Sequence, residues 1–109
     1  MFNFFKSLFK NDAYENLKAK EFLAQYKSTP GAVLLDVRTP MEVAAGKLDG
    51  AKAIDFQNPN FAANVSKLDK EKTYFIYCRS GMRSASACRQ MHAMGFKNLI
   101  NLSGGYISI

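Results

Sequence analysis

Thr73-Tyr74-Phe75-Ile76-Tyr77-Cys78-Arg79-Ser80-Gly81-Met82-Arg83-Ser84 is the stretch on which the reading of this chain turns. Residues 73–77 form a continuous apolar run without alternation. That is the pattern of a parallel strand buried on both faces. A polar loop follows, with a glycine between two arginines, and residues 83–94 then read as a helix that Gly95 ends. Cys78 sits at the turn from strand to helix. Such a turn aims backbone N–H groups into a concavity at the positive end of the helix, where an anion or a thiolate is stabilised. A thiol there is expected to ionise below its ordinary range and to serve as a nucleophile near neutral pH.

Outward from this unit the chain alternates between the two kinds of element. A helix is expected over residues 17–26, followed by a turn at Ser28-Thr29-Pro30-Gly31. Residues 33–37 read as a buried strand. Thr39 then caps a short helix with Pro40 at its first position, and Gly46 ends it. A short strand over 51–54, a turn at Asn58-Pro59-Asn60, a short helix over 61–68 and a final strand over 99–102 complete the order. Strands alternating with helices predict an open parallel α/β sheet. Ligands of such sheets bind at the carboxyl ends of the strands, where Cys78 is placed.

Composition bounds the rest. The 109 residues suffice for one compact core and not for two. Residues 13–109 are therefore expected to form a single domain, with residues 1–12 as a tail or short amphipathic segment. In that segment Phe2, Phe5 and Phe9 share one face at helical spacing. Lys6 interrupts the apolar run too early for a signal peptide. Packing on the domain is preferred there over membrane contact by residues 1–10, because so short a segment anchors weakly. No stretch approaches the roughly 20 apolar residues of a membrane span. The net charge of +6 comes from scattered lysines, with Arg79, Arg83 and Arg89 gathered after Cys78. This predicts local attraction for a small anion and no nucleic-acid partner. Two cysteines make no secreted disulfide framework, and with one histidine they are too few for a zinc site. No metal is expected, and a free Cys78 suits a reducing cytoplasm.

Only four residues separate Cys78 from Arg83. Protein tyrosine phosphatases carry one residue more between Cys and Arg and cradle a phosphate, so the cradle here is tighter. It resembles the loop of the rhodanese family of sulfurtransferases. Leu34-Leu35-Asp36-Val37-Arg38-Thr39-Pro40-Met41-Glu42-Val43 is similar to that family's strand, Asp-Val-Arg and short acidic helix. Gly46-Lys47-Leu48-Asp49-Gly50-Ala51-Lys52-Ala53-Ile54 resembles the next turn and strand. Gly95-Phe96-Lys97-Asn98-Leu99 and Leu102-Ser103-Gly104-Gly105 resemble the last strand and its glycine pair. Lys47 stands at a usual His, Asp49 at a common Pro, and no Trp follows the glycines.

The resemblance implies a rhodanese-like fold, an open, mainly parallel central sheet flanked by helices on both faces. It also implies a double displacement that requires no cofactor. Cys78 takes a sulfane sulfur from a small anionic donor such as thiosulfate, holds it as a persulfide, and passes it to cyanide or a thiol. Arg79, Ser80, Gly81, Met82 and Arg83 are expected to form the substrate cradle through their N–H groups, with the Arg83 guanidinium clamping the donor's anionic end. Ser84 is expected to cap the helix or donate to the sulfur. Asp36 is expected to support the loop and Arg38 to pair with Glu42. Cys88, on the helix with Ala87 and Met91, reads as core. His92 reads as a solvated helix residue, and Gly104-Gly105 as a turn shaped for the loop. A persulfide relay to a protein sulfur acceptor is the main alternative. A non-catalytic binding module and a phosphatase or arsenate reductase rank below it.

Overall fold

The structure, a computed structural model, describes residues 13–109. The tail or amphipathic segment expected over 1–12 lies outside the described residues. Among the described residues five strands are present: β1 (Glu15–Leu17), β2 (Val33–Asp36), β3 (Lys52–Ala53), β4 (Thr73–Tyr77) and β5 (Asn98–Leu102). They pair in the order β1-β5-β4-β2-β3, and every pairing is parallel. Between them run four α-helices: α1 (Ala19–Ser28), α2 (Pro40–Ala44), α3 (Phe61–Val65) and α4 (Met82–Ala93). A short 3₁₀ turn, Tyr106–Ser108, follows β5.

The continuous apolar run of β4 is explained by its place at the centre of the sheet. Tyr74, Ile76 and Cys78 enter one core cluster with Phe61, Val65, Ala87, Cys88 and Met91 from α3 and α4. Phe75 and Tyr77 enter the other with Phe22 from α1. Successive side chains point to opposite faces, and helices bury both faces, so each residue of the strand's buried part is apolar. On α4 the buried residues Ser84, Ala87, Cys88 and Met91 recur at helical spacing. Gly95, at φ 103°, ends that helix as expected.

Several boundaries differ from the sequence expectation by one to three residues. The first helix begins at Ala19, because Glu15–Leu17 is instead recruited as an edge strand against β5, in register with Ile100–Leu102. Three residues with one aliphatic side chain carry no strand pattern of their own. The helix expected over 61–68 closes at Val65. Among the described residues no helix is long and apolar enough to cross a membrane.

Candidate active site

The strand β4 delivers Cys78 to the carboxyl edge of the sheet, and α4 starts at Met82 with Gly81 as its N-cap. Gly81 occupies the left-handed region, φ 102°. A Cβ there would run into the Ser103 carbonyl, so glycine is required by both conformation and space. The result is a tight loop folded around one sulfur. Cys78 Sγ accepts from the Gly81 N–H at 3.2 Å, the Ser84 N–H at 3.3 Å and the Ser84 hydroxyl at 3.3 Å. Burial pushes the thiol up, but the Ser84, Gly81 and Ser80 donors outweigh it and hold Cys78 below the ordinary thiol range. Ser84 thus donates to the sulfur with its side chain and backbone together.

The loop is braced from behind by the turn after β5. Tyr106 N–H donates to the Cys78 carbonyl at 2.8 Å, and Ile107 N–H to the Arg79 carbonyl at 3.1 Å. Gly105, at φ 71°, lies so close that a Cβ would overlap the Arg79 carbonyl. The expected turn beside the loop is present. Asn101 was not anticipated: its Nδ2 donates to the Gly81 carbonyl at 3.2 Å and to Asn16 Oδ1 at 2.9 Å. The available signal is an amide between the apolar residues Ile100 and Leu102, since a buried polar group needs a partner.

The charged residues pair differently from the expectation. Arg38 does not meet Glu42. Asp36, two residues back, takes its Nε at 3.0 Å, its Nη2 at 2.7 Å and its backbone N–H at 3.0 Å. The guanidinium then lies over the Tyr106 ring, 4.2 Å from the centroid, and donates to the Gly46 carbonyl at 2.6 Å. The local carboxylate wins because it sits on the same face at contact distance. Asp36 therefore reaches the loop indirectly, through Arg38 and Tyr106.

Glu42 instead holds Arg83. The two guanidinium nitrogens of Arg83 donate to the two carboxylate oxygens at 2.7 and 2.9 Å. The cause is local to α2. Thr39 Oγ1 accepts from the Glu42 N–H, and Glu42 Oε1 accepts from the Thr39 N–H at 3.0 Å, a complete capping box. A helix cap thus fixes the carboxylate that receives Arg83. The paired guanidinium, with the Thr39 donors, lowers Glu42 to about 2 against the cost of burial. The clamp expected of Arg83 is accordingly a neutralised pair. Arg79 and Ser80 are exposed on the loop, and Met82 is 77% exposed at its rim.

Cys88 is fully buried in the cluster behind the loop. Burial pushes its thiol up to about 12, with Arg89 opposing weakly. His92 is exposed on the far turn of α4. Beside the loop lies an open groove of about 510 Å³, walled by α4 and by the ends of β1 and β5. Among the described residues no group of three His, Cys, Asp or Glu side chains is placed to hold a metal.

Comparison with known proteins places this geometry. The family model described as "Rhodanese-like domain" matches residues 18–108. A protein named "Sulfurtransferase" from Allochromatium vinosum is 35% identical over 80 residues, covering 73% of this chain and 73% of its own length. "Thiosulfate sulfurtransferase GlpE" from Pseudomonas entomophila is 33% identical over 76 residues, covering 70% of this chain and 68% of its own. For other relatives the chain corresponds to only 19% of the protein's length. Among solved structures, a rhodanese-like domain protein from Staphylococcus aureus superposes with a TM-score of 0.76 at 26% identity, over 86% of this chain and 89% of that one.

Proposed function

The chain belongs to the rhodanese-like domain family, and on that premise we propose that it is a sulfurtransferase working through a Cys78 persulfide. The observation that carries this reading is the three-donor cradle on Cys78 Sγ. Such a cradle favours the thiolate over the thiol, and the thiolate is the nucleophile.

In the first half-reaction the thiolate attacks the outer sulfur of a donor such as thiosulfate. The donor's S–S bond breaks and its electron pair leaves with sulfite. Cys78 then carries one extra sulfur. In the second half-reaction cyanide or a thiolate attacks that terminal sulfur, the new S–S bond breaks, and its electrons return to Cys78. Backbone N–H groups at the start of α4 offset the negative charge at each stage, because they are fixed before the reaction begins. The Arg83–Glu42 pair leaves little net charge at that end of the loop, so the backbone donors carry this task. A reducing cytoplasm keeps Cys78 free to take up sulfur.

Intact-protein mass spectrometry after incubation with thiosulfate, then with cyanide, tests the proposal. The expected result is a gain of one sulfur, mapped to the Cys78 peptide and removed by cyanide. Loading from a polysulfide or a persulfidated protein but not from thiosulfate would favour a relay to a protein acceptor. No loading from any of these donors would overturn sulfur transfer.

A further inference from the structure

We infer that Asn101 is a positioning residue for the transferred sulfur: it turns the peptide between Gly81 and Met82 so that the Met82 N–H serves the outer sulfur of a Cys78 persulfide. This rests on the sulfur-transfer reading and gives the second sulfur a support distinct from that of the first. Asn101 is 2% exposed and lies on β5 between Ile100 and Leu102. Burying an amide there costs free energy that an apolar residue would not. Its Oδ1 has no hydrogen-bond partner among the described residues. Stability alone does not account for a buried amide left half satisfied.

The other half of the amide is fully used. Nδ2 donates to the Gly81 carbonyl at 3.2 Å and to Asn16 Oδ1 at 2.9 Å. Asn16 is the register partner of Asn101 across β1 and β5, so the two side chains stand next to each other. A carbonyl can only accept, so the NH2 group of Asn101 and not its oxygen must face Gly81. The same carbonyl accepts from the Ala85 N–H at 3.2 Å. These two donors fix its direction. Glycine offers little steric resistance to rotation of that peptide, so the direction has to be imposed from outside. In a trans peptide the N–H points opposite to the C=O. The Met82 N–H is thereby aimed back past the start of α4, the side from which the Ser84 N–H reaches Cys78 Sγ at 3.3 Å.

The two sulfurs of a persulfide then draw on different peptides. The inner sulfur has the Gly81 N–H, the Ser84 N–H and the Ser84 hydroxyl. That Gly81 N–H belongs to the preceding peptide, between Ser80 and Gly81, and Asn101 holds the following one. Met82 and Arg83 are the first two residues of α4, and their N–H groups have no acceptor within the helix. In the loading step the Cys78 thiolate attacks the outer sulfur of thiosulfate. The donor's S–S bond breaks, its electron pair leaves with sulfite, and no proton moves. A persulfide anion therefore replaces a thiolate, and its charge sits on the outer sulfur, where the donors at the start of α4 meet it. The balance between the two anions reads the support given to the outer sulfur against that given to the inner one.

Wild-type protein and Asn101→Leu are equilibrated with fixed mixtures of thiosulfate and sulfite, and the loaded fraction of Cys78 is read by intact-protein mass spectrometry. If only polysulfide loads the wild type, a fixed polysulfide mixture takes their place. Asn101→Leu should lower the ratio of persulfide to thiol by about fivefold to tenfold. Its Cys78 thiolate absorbance should still titrate within about 0.3 pH unit of the wild type, because the inner sulfur keeps its donors. Asn16→Ala, at an exposed position on β1, frees the Asn101 amide without altering the buried residue and should lower the ratio by about twofold. An unchanged ratio in Asn101→Leu, or in Asn16→Ala where the first variant fails to fold, would overturn the inference. A thiolate titration displaced as far as the ratio would also overturn it, since the whole loop would then have loosened. Failure of the wild type to load from any of these donors would overturn the sulfur-transfer reading itself, and the inference with it.

Discussion

Cys78 and Cys88 lie in the same apolar cluster, and each is fully buried. Their surroundings push the two thiols in opposite directions. Around Cys78 the chain turns from strand to helix, and three donors converge on the sulfur. Cys88 sits two turns further along α4, where the helix's own hydrogen bonds use the backbone groups and burial is the largest influence on the thiol. Burial opposes ionisation at both sites. Reactivity is decided by where the backbone N–H groups are free, which is at a helix start and not in its middle.

The comparison can be broken most severely at Gly105. Gly105→Ala drives a methyl into the Arg79 carbonyl and strains a left-handed residue, so the loop must move. The expected outcome is loss of transfer activity by about a hundredfold or more and a stability loss of about 2–4 kcal/mol, read by turnover and denaturant melts. Next comes Ser84→Ala, which removes one of the two donors that Ser84 gives Cys78. The thiolate is the reactive form, so a raised thiol pKa lowers the rate at neutral pH and moves the activity profile toward alkaline pH. A loss of about threefold to tenfold at pH 7, recovered in part at higher pH, is the expected result.

Glu42→Gln separates charge from backbone donors. It keeps an acceptor for the Thr39 cap and frees the Arg83 charge, so KM for thiosulfate should fall by about twofold to fivefold. It also changes the acid limb of stability. Glu42 is held at about 2, below its ordinary 4.5. Its contribution is therefore complete above about pH 4.5 and is lost as pH falls toward about 2. The variant should lose that part of the pH dependence in acid melts. The smallest effect on activity belongs to Cys88→Ala. Turnover should stay within about twofold, while the lost sulfur contacts cost about 1 kcal/mol or more of stability.

The parts legible in the sequence were those set by neighbouring residues. Thr73–Tyr77 declared a buried central strand, Thr39 and Pro40 declared a helix start, and the apolar stripe on α4 placed Cys88 inside. Contacts between distant elements were not legible. Nothing in Glu15–Leu17 announces a strand, because its pairing is supplied by β5. The exchange of partners among Asp36, Arg38, Glu42 and Arg83 depends on which face of the sheet each charge reaches. Asn101 and Tyr106 support the loop from a strand and a turn about 20 to 30 residues away in sequence, a support that only the folded chain reveals.

The most direct test of the contrast is a pH titration of thiolate ultraviolet absorbance in two single-cysteine variants. Cys88→Ala retains only Cys78, and should titrate below the ordinary thiol value of about 8.5. Cys78→Ala retains only Cys88, and should stay un-ionised until about pH 12 or until the protein unfolds. Titration of both variants in the same range, or of Cys78 at or above the ordinary value, would contradict the account.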